Sequence, residues 1–171
     1  YRQFLEAQTD DSFPLFVANL LHSRSLFEQR TYVIASHRRE AVDAFAGLTF
    51  DACPPVATTP RVGLMFSGQG GEHRDMGREL YTHEALFKAE LDAFDPVCQD
   101  VFGASAANLL FDPLINGKIE ADIARSQPMT FALQVAMARL FLSSGIGPVA
   151  LFGHSLGEYA AACGAGVVTG D

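Results

Sequence analysis

From Arg61 onward the sequence predicts an α/β layered fold, and before that a smaller α+β unit. Three observations lead there. Short apolar runs alternate with helical patterns after Arg61, two of those runs enter Gly-rich turns directly, and a proline-rich stretch (Pro54-Pro55, then Pro60) separates this part from a segment of different texture. The 171 residues are 49% apolar and 19% charged, enough apolar content for a packed core and too much for a disordered chain.

In the first unit, residues 13–30 carry Phe16, Val17, Leu20, Leu21 and Leu26-Phe27 near helical spacing. Thr31–Ser36 (TYVIAS) reads as a short strand, and His37–Leu48 returns to a helix with Val42, Phe45 and Leu48 on one face. Residues 1–60 are expected to form this unit and 61–171 the larger one. Arg61–Ser67 (RVGLMFS) reads as a buried strand running into Gly68-Gln69-Gly70-Gly71. Met76 to Phe102 reads as mostly helical, with Leu80, Phe87, Leu91 and Phe94 facing a core and Pro96 as a kink or break. Residues 103–126 look loop-like, with turns at Asp112-Pro113 and Asn116-Gly117. A helix is expected from Pro128 to Ser144, opened by Gln127-Pro128 and ended by Gly145. Pro148–Phe152 then reads as a strand and Glu158–Ala165 as a helix of small residues.

Charge and thiol content narrow the chemistry. Twelve Lys/Arg against twenty Asp/Glu leave a net charge of −8 with no basic stripe, which argues against a nucleic-acid partner. No uninterrupted apolar run approaches the roughly 18–20 residues of a membrane span, and Tyr1-Arg2-Gln3-Phe4 has no signal-peptide character. Cys53, Cys98 and Cys163 are far apart, with no CxxC, and read as reduced thiols of a cytoplasmic protein. His22, His37, His73, His83 and His154 show no metal-ligand spacing, so no metal is expected.

The expected strand at Val149–Phe152 enters Gly153-His154-Ser155-Leu156-Gly157 and then a helix. This is a GxSxG pattern in the strand–turn–helix context that makes its serine a nucleophile. Glycines on either side permit the tight turn, and the helix N-terminus offers N–H groups to a developing oxyanion. A Gly-rich turn with an incidental serine is the other reading of the same pentapeptide. The Gly68-Gln69-Gly70-Gly71 loop is neither a Walker loop nor a dinucleotide fingerprint. Its backbone N–H groups suit the approach of a substrate carbonyl, although a plain β-to-α turn has the same composition. Both turns are expected at the carboxyl edge of one sheet, where open α/β sheets bind ligands.

Phe66-Ser67-Gly68-Gln69-Gly70, Gln127-Pro128 and Gly153-His154-Ser155-Leu156-Gly157-Glu158 together resemble three ordered motifs of the acyltransferase domain of type I polyketide synthases, similar to malonyl-CoA:acyl carrier protein transacylase. About 58 residues separate the Gly68 motif from Gln127 and 28 separate Gln127 from Ser155, spacings that suit the family. Residues 13–48 resemble the linker between ketosynthase and acyltransferase domains. The resemblance implies an α/β-hydrolase-like acyltransferase core, here its first strands and nucleophile elbow, preceded by a small α+β linker domain. It implies Ser155 as the catalytic nucleophile, the backbone N–H groups of Gln69 and Leu156 as the oxyanion hole, and His154 and Gln127 as substrate-binding residues lining the acyl pocket. Glu158 is taken as structural, a carboxylate in the first turn of a helix.

The implied reaction transfers a malonyl-type unit from coenzyme A to the phosphopantetheine arm of an acyl carrier protein. Coenzyme A thioester is then a substrate, no cofactor is bound by the domain itself, and the phosphopantetheine belongs to the partner. An adjacent ketosynthase is the other implied partner. Leu156 after the nucleophile is similar to malonyl-selective members. Glu72 stands where the family usually has Gln, which bears on the contacts of the loop. The family's catalytic His and its carboxylate-pairing Arg are expected after Asp171, so the 171 residues by themselves are expected to be an inactive part of a larger enzyme. A serine esterase or thioesterase shares GxSxG but neither of the other two motifs, and a non-catalytic docking piece is the third reading.

Overall fold

A computed structural model describes residues 1–25, 27–48, 60–112 and 122–168. It divides into two compact units, Tyr1–Pro60 and Arg61–Asp171. Among the described residues no helix is long and apolar enough to cross a membrane.

The first unit contains α1 (Arg2–Glu6), α2 (Phe13–Ser23) and α3 (Arg38–Ala46). His37 caps α3: its Nδ1 accepts the Glu40 N–H at 3.2 Å, while the Glu40 carboxylate reaches back to the Ser36 N–H at 2.7 Å. That reciprocal arrangement satisfies two backbone donors at the helix start. Leu5 and Ala41 are buried, and Arg38 fastens the unit by donating to Asp10 at 3.0 Å and to the Leu5 carbonyl at 3.3 Å. The strand expected over Thr31–Ser36 is not formed. Tyr32 and Ile34 are 82% and 83% exposed, and no described segment offers the neighbouring backbone that a strand needs. The helix read over 13–30 stops at Ser23, where Arg24 turns extended. Leu26, Cys53, Pro54 and Pro55 lie outside the described residues.

The second unit runs β1 (Gly63–Phe66), α4 (Arg78–His83), α5 (Ala85–Asp92), α6 (Asp95–Phe102), α7 (Ala106–Phe111), α8 (Ile123–Ser143), β2 (Ala150–Gly153), α9 (Gly157–Gly164). β1 and β2 pair in parallel, with Gly63 opposite Ala150 and Phe66 opposite Gly153. Two expectations are corrected here and one is sharpened. The mostly helical stretch over 76–102 is three helices: Glu84 is extended between α4 and α5, and the break near Pro96 falls at Ala93-Phe94, leaving Pro96 in the first turn of α6, where its missing N–H is harmless. The loop expected over 103–126 contains α7, opened by a Ser105 hydroxyl that accepts the Asn108 N–H at 3.1 Å. Helix α8 begins at Ile123, so Pro128 lies inside it rather than at its start. The added turn is held by Arg125 and Ser126 N–H groups on the Asp122 carbonyl and by burial of Ser126 and Met129. The Asn116-Gly117 turn and Pro113 lie outside the described residues.

Helix α8 is the spine of this unit. Met129, Ala132 and Ala136 on one side join Phe87, Leu91, Leu109 and Leu110 in one core cluster. Val135 and Ala138 on the other side pack with Phe66 of β1 and Ala160 and Cys163 of α9. Burying each large aliphatic or aromatic side chain of these clusters contributes about 1.5–3 kcal/mol before the entropy of ordering it. α8 ends as expected at Gly145 (φ +83°): the Gly145 N–H bonds to Leu142 O at 3.0 Å and the Ile146 N–H to Phe141 O at 3.3 Å, a Schellman cap that turns the chain toward β2.

Candidate active site

The two Gly-rich turns lie side by side because their strands do. Phe66 and Gly153 are register partners, and the next step continues the ladder, His154 N–H donating to the Phe66 carbonyl at 3.1 Å. Beyond this point β1 becomes Ser67-Gly68-Gln69 and β2 becomes His154-Ser155-Leu156.

Ser155 has φ +52°, left-handed backbone that a non-glycine residue adopts at a cost of about 1–2 kcal/mol. The surrounding contacts enforce it. Its carbonyl accepts the Glu158 N–H at 3.0 Å, and His154 O accepts the Gly157 N–H at 2.9 Å, so the turn winds at once into α9. A Cβ at Gly153 would fall 2.3 Å from Glu158 N, and one at Gly157 would fall 2.3 Å from Phe66 O. No side chain fits at either position, so α9 crosses β1 in backbone-to-backbone contact. Ser155 is exposed at the apex of this turn, and among the described residues nothing is hydrogen-bonded to its hydroxyl. A strained, exposed serine at a strand-to-helix junction is the geometry of an acyl-accepting nucleophile.

The neighbouring loop is packed against it. A Cβ on Gly68 would lie 2.8 Å from His154 Nδ1, so the imidazole rests on the Gly68 backbone, beside the serine's turn. Among the described residues neither the Gln69 nor the Leu156 N–H donates to another protein group. Gln127, on α8, donates from Nε2 to Gln69 Oε1 at 2.9 Å and so joins the second motif to the first. Gln69, His154, Ser155 and Leu156 thus follow the paired ends of β1 and β2, and Gln127 reaches the first of these turns from α8.

Three residues of the site were not singled out as candidates, and a fourth was noted only as a departure. Gln134 Nε2 donates to Ser67 O at 2.8 Å and lies 3.2 Å from Ser67 Oγ. Thr130 Oγ1 donates to Glu72 Oε1 at 3.4 Å, and Glu72 Oε2 accepts the Gly70 N–H at 2.6 Å. Glu72, where Gln was expected, therefore serves as a double acceptor inside the loop. The signal for Thr130 and Gln134 was a polar stripe, Gln127, Thr130 and Gln134 at i, i+3 and i+7, set among the apolar residues of the helix's middle. Among the described residues no three His, Cys, Asp or Glu side chains stand close enough to hold a metal ion. The groove lined by Phe4, Leu15, Phe16 and Leu20 lies wholly in the first unit.

Residues 64–170 match the family model of the acyl transferase domain. Polyketide synthase GfsA of Streptomyces halstedii is 36% identical over 94% of this chain, which spans 2% of that protein. The acyl transferase domain of SpnD, solved in complex with 2-(pent-4-yn-1-yl)malonyl, is 30% identical and superposes with a TM-score of 0.79 over 98% of this chain and 40% of its own. A type II polyketide synthase acyl carrier protein in complex with its malonyl-transacylase is 27% identical, with a TM-score of 0.55 over 64% of this chain and 34% of its own. The chain therefore spans a small part of these polyketide synthases and well under half of the solved acyltransferases.

Proposed function

Because the chain belongs to the acyl transferase domain family, we propose that the protein containing it moves a malonyl-type acyl group from coenzyme A to the phosphopantetheine thiol of an acyl carrier protein, through an ester on Ser155. In the first step Ser155 Oγ attacks the thioester carbonyl, its proton passes to a general base, and the C–S bond breaks to release coenzyme A as its thiol. In the second the carrier-protein thiol attacks the ester and Ser155 recovers its proton. The N–H groups of Gln69 and Leu156 receive the oxyanion in both steps. His154 and Gln127 line the acyl pocket, and Leu156 favours the unbranched malonyl group. Residues 1–60 act as the linker to a ketosynthase, and residues 61–171 as the first part of the acyltransferase domain.

The observation that carries this reading is the left-handed Ser155 between Gly153 and Gly157, two residues beyond β2, whose partner β1 leads into the Gly68-Gln69 loop. The similar malonyl-transacylase solved in complex with its acyl carrier protein supports the choice of acceptor. Incubating the intact protein with radiolabelled malonyl-CoA should give one labelled serine ester, lost in Ser155→Ala and discharged by carrier protein. Labelling that survives Ser155→Ala overturns the reading. Hydrolysis of short esters that outruns transfer would favour a serine esterase instead.

A further inference from the structure

We propose that Gln134 is a positioning residue for this reaction, holding the Ser67-Gly68-Gln69 backbone at the angle from which the Gln69 N–H meets the oxyanion; the proposal rests on the acyl-enzyme reading above. Gln127, Thr130 and Gln134 form one stripe on α8, and each grips a different point of the loop between β1 and α4. Gln134 holds the Ser67 carbonyl at 2.8 Å, Gln127 holds the Gln69 side chain at 2.9 Å, and Thr130 holds Glu72, which in turn holds the Gly70 N–H. The Gln69 N–H lies between the first and last of these points.

The Gln134 grip has the most direct bearing on that donor. The Ser67 carbonyl belongs to the peptide leading into Gly68, the residue on which His154 rests. Gly68 has little resistance of its own to rotation, because it lacks a Cβ. A tilt at Ser67 is therefore passed along the backbone to the next N–H. Gln134 also leaves its Oε1 buried and unpartnered among the described residues. An orphaned buried carbonyl is rare and calls for a reason. Turning the amide over would set Oε1 against the Ser67 carbonyl and trade the shorter of its two contacts for a repulsion. The side chain is committed to donating, at a helix position whose neighbours Val135 and Ala138 are buried and apolar. Oxyanion donors act at about 2.7–3.1 Å, and a misplacement of about 1 Å lowers rates on the order of 10²-fold.

The test is Gln134→Met in the intact protein, which keeps the length of the side chain and removes the donor. Ser155 acylation by malonyl-CoA is followed in single turnovers, per active site counted from the burst of coenzyme A. We expect at least a tenfold fall in the maximal acylation rate with the half-saturating malonyl-CoA concentration changed less than about twofold. Gln134→Glu, soluble and isosteric but presenting an acceptor to the Ser67 carbonyl, should lose at least as much. An unchanged rate per site in both Gln134 variants, or a loss confined to half-saturation or to the number of folded sites, overturns the positioning role while leaving the acyl-enzyme intact. A parent protein that forms no Ser155 ester overturns both.

Discussion

At Ser155, the proposed nucleophile, substitution can separate the hydroxyl from the backbone angle. Removing the hydroxyl by Ser155→Ala leaves a Cβ in left-handed backbone, whereas Ser155→Gly removes both hydroxyl and strain. Both variants should be inert in acylation. Ser155→Gly should nonetheless be the more stable of the two by about 1 kcal/mol, after the greater unfolded-chain freedom of glycine is allowed for. Urea midpoints of the two variants measure this; equal midpoints would mean that φ +52° carries no strain. The sequence displayed the pair of glycines and the serine plainly, because GxSxG is a local pattern with a local steric cause. It did not display Gln134 or Thr130 as members of the site. Their partners Ser67 and Glu72 are 67 and 58 residues away, so only the folded crossover shows what the polar stripe is for.

At the scale of elements, α4 and α5 are joined by a polar knot on the surface. Tyr81 OH donates to Asp92 Oδ1 at 2.7 Å, and Lys88 binds Asp92 and lies over the Tyr81 ring, 4.6 Å from its centroid. Partial burial works against the Asp92 charge, but hydrogen bonds from Lys88 and Tyr81 outweigh it and hold the carboxyl below the usual aspartate range. Lys88 is correspondingly raised, first by its bond to Asp92. A depressed carboxylate stabilises the fold above its unfolded pKa, and that contribution is lost as pH falls through the folded value. Asp92→Asn should lower stability at pH 6 by up to about 1 kcal/mol, as suits a solvent-screened pair. The difference from the parent should shrink as pH is lowered from about 4, the usual aspartate value, toward 2. A constant difference in urea midpoints across that window would contradict the assignment. The sequence predicted most of these elements but misjudged those whose fate depends on partners. TYVIAS has strand-forming residues and no described strand beside it, while Ile123–Gln127 lacks a strong start signal and is made helical by burial of Ser126 and Met129.

At the scale of the second unit, the sheet is thinly covered. Parallel sheets are normally buried on both faces, yet Met65 is 85% exposed and Phe152 58% exposed on a sheet of two strands among the described residues. The 171-residue polypeptide expressed by itself should therefore bind an apolar dye such as ANS strongly. Dye binding no greater than that of an ordinary folded domain would show that this surface is covered in solution.

The pairing of Phe66 with Gly153 also has a consequence in time. Every helix from α4 to α8 lies between the two strands, and the bond from Gln127 to Gln69 alone closes a loop of 58 residues, about 3–4 kcal/mol of chain entropy. Local helices form far sooner than such long-range pairings. During synthesis the Gly68 loop leaves the ribosome well before Ser155 does and waits, helices already wound behind it, for its other half. In refolding, helical signal should therefore precede a reactive serine.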